Sequence, residues 1–378
     1  MRVVLVNAWP LGPTPEAHLA HDDLRRELAR ALVRRGLQVH VVQELATAGH
    51  LDDHGVAWHF VPPGAPLRLA RAALTTAGRD DASVKLPAPH LARAAAALAG
   101  DVVHSFDLVA YPLLAALGRD ARRRGAALVT HFHGGAPARV AALRRVERAA
   151  FADVGRFGFT TRAHAAPWVR SGALADDARV VEVFEVSSHF TPGDRAAARA
   201  ATGLRGAPAV LHLGRLDAVK DPLTVVAGFR TALAALPHAE LSFAWTDAPL
   251  RDAVRTAAAG LPVHWLGPQP RPQVEALLRG ADVLVQASTR EVCGRAVLEA
   301  FATGTPCVLS DIPSFRRLTD HGRVGALFPP GDDGALAAAL RQTDFPALRA
   351  SVRDHFDAAL SYERLADDVV AMYREARA

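Results

Sequence analysis

Short runs of branched apolar residues alternate with longer amphipathic stretches along the chain, and this alternation restricts the possible fold more than any other feature. RVVLVNA (2–8) carries apolar residues on consecutive positions, so both faces of a strand there must be buried. PEAHLAHDDLRRELARALVRRG (15–36) then has helical spacing, with Thr14 and Pro15 at its start and Gly36 at its stop. Further strands are expected at 37–43, 56–62, 101–107 and 127–133, with helices such as PHLARAAAALAG and YPLLAALGRDARRRG between them. The pattern restarts at APAVLHLGRL (207–216), followed by a helix over 221–237 and strands in AELSFAWT, PVHWLG, ADVLVQAS and TPCVLSD. Strand–helix alternation of this kind implies parallel sheets covered on both faces. At 378 residues, half of them hydrophobic, the chain has material for two cores. The expected class is therefore α/β, with two doubly wound Rossmann-like domains facing each other across a cleft. The join is expected in VSSHFTPGDRAAARAATGLRGAPA (186–209), giving domains of 1–190 and 191–360 and a closing segment of 361–378.

Charge and cysteine content narrow the function classes. Residues 1–190 hold 23 Lys/Arg against 18 Asp/Glu, and the remainder balances at 21 against 21. The excess gathers in GRDARRRG (118–125) and ARVAALRRVERAA (138–150), a face suited to anionic membrane or an acidic substrate, or simply to solvent. Cys293 and Cys307 provide neither a disulfide framework nor metal-ligand spacing, and no metal is expected. The chain opens directly on an apolar strand and has no run long enough to span a bilayer, so a cytoplasmic location is expected. No nucleophile elbow, P-loop or dinucleotide fingerprint is present, which argues against hydride chemistry. Nothing points to nucleic acid.

In open parallel sheets ligands gather beyond the carboxyl ends of the strands, so the loops there are where chemistry is expected. HLGRLDAVKDP places Arg215 just after a strand and Lys220 just before a helix, a pair suited to clamping phosphate or standing as ordinary surface cations. STREVCGRAVLEAFATGTPCVLSD (288–311) places Glu291 in a loop and Glu299 in the following helix. Gly294 permits close backbone approach, and the first amides, at 294–296, suit an anion such as pyrophosphate. Glu299 stands among Val297, Leu298, Ala300 and Phe301, so its carboxylate must be paired or meet a ligand. In the first half, THFHGG (130–135) puts His131 and His133 at a strand end before two glycines, and His104 and Asp107 end another strand. Two histidines make weak evidence for a metal; either could hydrogen-bond a sugar hydroxyl.

These segments resemble the retaining glycosyltransferases of family 4, whose fold is GT-B. GRLDAVKD is similar to that family's donor-phosphate motif, EVCGRAVLEAFATGTPCVLSD to its E-x7-E segment and following strand, and GRVGALFPPGDDGALAAAL to the stretch after it. SYERLADDVVAMYREA is similar to a C-terminal helix that returns to the N-terminal domain. By position, the resemblance implies that Arg215 and Lys220 hold the donor diphosphate, with Gly294 and the amides of Arg295 and Ala296 capping it. It further implies that Glu299 binds the ribose, that Glu291 faces the donor sugar, and that His133 meets a hydroxyl of that sugar. The implied activity is hexosyl transfer from a nucleotide sugar, with UDP the expected base, to an acceptor hydroxyl with retention and without a metal or other cofactor. A sugar-nucleotide epimerase or hydrolase of the same fold, or a non-catalytic nucleotide-sugar-binding partner, is the alternative. Three segments depart from the family: NAWPLGPTPEAH has only Gly12 where a glycine pair is usual, EVSSHF replaces the linker turn, and TDAPLRD (246–252) replaces a glycine-rich loop.

Overall fold

The computed structural model describes residues 1–9, 13–21, 23–76, 86–138 and 140–378; Gly12 lies outside them. The chain forms two compact units: Met1–Val186 with Leu365–Ala378, and Ser187–Arg364. Of the stretch expected to join the domains, 195–202 is a helix within the second unit. Its alanines favour helix, Asp194 accepts from the Ala197 amide at 2.8 Å to cap it, and Gly203 ends it at φ +69°.

The first unit is built on an eight-stranded sheet: β1 (Arg2–Asn7), β2 (Gln38–Glu44), β3 (Gly49–Asp53), β4 (Val56–Val61), β5 (Val102–Ser105), β6 (Ala127–His131), β7 (Arg156–Phe159) and β8 (Val180–Glu182). Their spatial order is β3-β4-β2-β1-β5-β6-β7-β8, parallel throughout except for the β3–β4 pair. β1 lies between β2 and β5, and Val3 to Val6 are fully buried, as a strand covered on both faces requires. The edge pair β3–β4 turns through His54 and Gly55, both at positive φ, a tight hairpin that the strand–helix rhythm does not announce. The chain's last residues pack into this unit: the Tyr373 hydroxyl and His104 Nδ1 share a 2.7 Å hydrogen bond, and Arg156 pairs with Glu375 at 3.1 Å.

The second unit has a six-stranded parallel sheet: β9 (Ala209–Leu213), β10 (Glu240–Ala244), β11 (Val263–Gly267), β12 (Val283–Gln286), β13 (Cys307–Ser310) and β14 (Ala326–Phe328). Its order is β11-β10-β9-β12-β13-β14. The core joins Val210, Leu241, Phe243, Val283 and Val285 from the strands to Val225, Val226 and Phe229 from the helix Pro222–Ala232. With both units doubly wound, the fold is GT-B. In each sheet the chain begins in the middle, winds outward, then returns to wind the other way. The reversal falls between β1 and β5 in the first unit and between β9 and β12 in the second. There the helices leave neighbouring strands on opposite faces and open a crevice at the strand ends.

Candidate active site

The loops leaving β9 and β12 meet at the reversal point of the second unit. Asp217 shapes the first of them. Its Oδ1 accepts from the amides of Val219 at 3.0 Å and Lys220 at 2.9 Å, and its Oδ2 faces Arg215 Nε at 2.8 Å. Asp221 then adopts φ +46°, which an aspartate tolerates, and caps the 222–232 helix by accepting from Thr224 N at 3.3 Å and Thr224 Oγ1 at 2.6 Å. Pro222 supplies the first helical residue. The result is a rigid turn that carries Arg215 and Lys220 at its two ends.

The β12 loop is tied to this turn directly, since the Thr289 amide donates to the Val219 carbonyl at 2.8 Å. Lys220 Nζ pairs with Glu291 Oε1, which also accepts from Ser288 Oγ at 2.8 Å. Ser310 Oγ donates to the Ser288 carbonyl at 2.5 Å and Ser314 Oγ to the Glu291 carbonyl at 3.2 Å, so β13 and the residues after it brace the same loop. Beneath it, His212 is buried with Nδ1 3.2 Å from the Val285 carbonyl, and burial, then the Lys220 charge, lower its pKa to about 4. The imidazole is therefore neutral at pH 7. Gln286 donates to the Leu213 carbonyl at 2.7 Å, while its buried Oε1 has no hydrogen-bond partner among the described residues.

Gly294 opens the helix Arg295–Ala302 at φ +90°, with no side chain capping it. A Cβ there would stand 2.7 Å from Phe315 Cε1, so position 294 must be glycine for two independent reasons. The helix begins with first-turn amides that lack intrahelical acceptors, and its dipole adds positive potential at that end. Glu299 is buried and its Oε1 accepts from Arg271 Nη1 at 2.6 Å and Arg295 Nε at 2.9 Å. Of the two outcomes the sequence left open for Glu299, pairing is present. Arg271 also lies over the Phe190 ring, 4.4 Å from its centroid.

The structure thus brings Arg215, Lys220 and Glu291 into one network, with Gly294, Arg295 and Ala296 on the adjoining helix start. Glu299 sits one turn on, in a separate arginine pair. Sequence reasoning did not single out Asp217, Ser288 or Arg271; Asp217 alone left a signal, as a carboxylate three residues before a lysine in a turn.

His133 belongs to the first unit. The expected strand over 127–133 stops at His131, because the residues beyond it turn away: Phe132 N still donates to the Gly158 carbonyl at 2.9 Å, and Gly134 and Gly135 take φ +122° and +99°. His133 therefore lies on the loop, its Nδ1 3.0 Å from Glu185 Oε2. His131 is fully buried, in the space that Gly158 leaves, and stacks on His104 with ring centroids 5.5 Å apart. Burial, then the neighbouring histidines, hold His104 well below its ordinary pKa. His104 is thus a neutral packing residue, and His131 packs beside it. Among the described residues no cluster of three or more His, Cys, Asp or Glu is placed to hold a metal, and no helix is long and apolar enough to cross a membrane. The arginines of 118–125 are partly neutralised: Arg124 pairs with Asp120 at 2.7 Å and Arg122 with Asp153 at 3.1 Å.

Residues 207–343 match the family described as "Glycosyl transferases group 1". The chain is 34% identical over 202 residues to a D-inositol 3-phosphate glycosyltransferase of Geodermatophilus obscurus, covering 50% of this chain and 45% of that protein. It is 37% identical over 141 residues to a phosphatidyl-myo-inositol mannosyltransferase of Mycobacterium leprae, covering 35% and 36%. The chain thus spans less than half the length of these curated relatives. Among solved structures, sucrose-phosphate synthase from Thermosynechococcus elongatus superposes with a TM-score of 0.69 at 19% identity, covering 99% of this chain and 98% of that one. Anabaena HepE in complex with UDP and glucose superposes with a TM-score of 0.65 at 16% identity, covering 99% of both chains.

Proposed function

We propose that the chain, whose residues 207–343 match the group 1 glycosyltransferases, is a family 4-like glycosyltransferase that moves a hexose from a nucleotide-diphosphate sugar to an acceptor hydroxyl with retention of anomeric configuration. One observation carries the reading. Lys220, held by the Asp217 turn at the reversal point of the matched domain, already faces a carboxylate, and a donor diphosphate is the anion that would take its place. The complex of Anabaena HepE with UDP and glucose supports UDP as the carrier.

The chemistry follows from charge. Breaking the anomeric C–O bond builds negative charge on the leaving diphosphate and positive charge on the sugar ring. Arg215, Lys220 and the amides of Gly294, Arg295 and Ala296 stabilise the first. Glu291, once Lys220 turns to phosphate, stabilises the second. Glu299 takes the ribose hydroxyls, positioned by Arg271 and Arg295, and His133 takes a hydroxyl of the sugar. The departing phosphate is the base that removes the acceptor proton, which places attack on the face the leaving group vacates. Product analysis by NMR tests this: the anomeric configuration of the donor is retained, and an inverted product would refute the mechanism.

A further inference from the structure

A second crevice opens in the first unit, where β1, β5 and β6 end; of the residues assigned above to the donor, His133 lines it. It is a cavity of about 740 Å³, within the range of small-molecule sites. Trp9 follows β1, Asp107 and Val109 follow β5, and His133 to Gly135 follow β6, so the cavity sits at this sheet's own reversal point. The two glycines let the chain pass close under it. A Cβ at Gly135 would already stand 3.0 Å from Val109 Cγ1.

The wall chemistry is one-sided. Val140, Leu143 and Val146, the last two on helix Ala141–Phe151, line it while remaining 58%, 52% and 47% exposed, and Trp9 lines it at 41%. Spaced three apart, they form a stripe of large apolar side chains on one side of that helix. The helix is anchored from beneath by Glu147, which is fully buried and accepts from the Tyr111 hydroxyl at 2.6 Å, Trp168 Nε1 at 3.1 Å and the Ala138 amide at 3.3 Å. The stripe is thus held rigidly over the cavity, and Tyr111 has its hydroxyl occupied and offers its ring. The polar groups are Asp107, which accepts from Trp9 Nε1 at 2.7 Å and the Val109 amide at 2.9 Å, and His133. Burial raises the Asp107 pKa and so strengthens the carboxylate as an acceptor for a hydroxyl. Among the described residues no lysine or arginine lines the cavity. A phosphorylated ligand would bring its charge up to the Asp107 carboxylate.

We propose that this cavity binds the acceptor, and that the acceptor is an uncharged alcohol with an apolar aromatic or alkyl body, its hydroxyl end at Asp107 and its body against Trp9 and the 140–146 stripe. The assignment rests on the transferase reading above. It also sets this chain apart from relatives whose names specify inositol phosphate.

Calorimetric titration of the full chain with 4-alkylphenols of increasing chain length, and with myo-inositol 1-phosphate, tests it. Affinity rises two- to fourfold for each added methylene, on the order of the transfer free energy of that group, and inositol phosphate gives no heat. The Leu143→Asp/Val146→Asp variant, changed only at exposed positions, weakens alkylphenol binding at least tenfold while UDP-glucose binding is unchanged. Trp9→Ala gives a smaller loss in the same direction. A flat series, binding of inositol phosphate, or unaltered affinity in both variants overturns the proposal. So does sedimentation of the wild type with anionic phospholipid vesicles in the absence of any alkylphenol binding, which would make the stripe a membrane face. If alkylphenols bind as expected but no nucleotide sugar does, the cavity stands and the transferase reading falls.

Discussion

The two sheets of this protein place a crevice at the same topological point and fill it with opposite chemistry. In the second unit the β9 and β12 loops carry Arg215, Lys220 and Glu291, tied together by Asp217, Ser288 and Thr289. In the first unit the β1, β5 and β6 ends carry Trp9, Asp107 and a glycine pair beneath an apolar helix stripe. Strand order fixes where a ligand can sit, and the loop side chains alone decide what kind of ligand it is. A charged, self-paired network suits a diphosphate, whose charge would replace a carboxylate's. An apolar wall with, among the described residues, one carboxylate and one imidazole suits a neutral hydroxyl compound.

The sharpest way to break the contrast is at Glu291. Replacing it with glutamine removes the charge proposed to oppose the cationic ring while keeping the amide oxygen near Ser288. Turnover is expected to fall about 10²- to 10³-fold, as for loss of one preorganised electrostatic group, while donor affinity in calorimetry holds or improves because Lys220 is released from its carboxylate partner. Equal losses in both would show that Glu291 only orders the loop.

Glu147→Ala acts on the other unit. It strands the Tyr111 hydroxyl and the Trp168 indole N–H in the core, at a cost of about 3 kcal/mol, given that one buried unsatisfied donor costs roughly 1–3 kcal/mol. Chemical denaturation followed by tryptophan fluorescence measures this, and UDP-sugar binding should survive at temperatures where the first unit remains folded. Gly294→Ala has the converse effect on the second unit. Its positive φ and the contact with Phe315 place the cost at about 1–3 kcal/mol, lowering the melting temperature by about 2–4 °C per kcal/mol.

Much of this contrast is legible in the sequence, and the unread parts have physical causes. The Val-rich strands announce themselves because a strand buried on both faces has no polar alternation to confuse the reading. β7, β8 and β14 have only four, three and three residues, too short to show a period, and GHLDD in β3 carries the polar residues of an edge strand. In the site, residue types and strand-end placement could be read. The partners could not: Lys220 and Glu291 lie 71 residues apart, and nothing local in either segment names the other. Glu147 shows the same limit in reverse. Within ARVAALRRVERAA it reads as one charge on a basic solvated face, whereas Tyr111 and Trp168 make it the buried anchor of that helix.

The smallest expected effect is in acid. His59, His90 and His212 are held at about 4, each chiefly by burial, and His104 well below its ordinary value. Each pKa is lowered in the fold, so the unfolded chain binds more protons between pH 6.5 and about 4, and stability falls as pH drops through that window. Three of these four histidines lie in the first unit, so thermal melts from pH 7 to pH 4.5 should destabilise that unit first. Earlier loss of the second unit would place the dominant buried histidine at His212.

The donor site is tested most directly by Lys220→Ala. Calorimetry with UDP-glucose and a panel of other nucleotide sugars, on wild type and variant side by side, is expected to show binding of at least one nucleotide sugar by the wild type and its loss, or a weakening of tenfold or more, in the variant. Binding of equal strength in both proteins, or no nucleotide sugar bound by the wild type, would contradict the assignment of the β9–β12 crevice as the donor site.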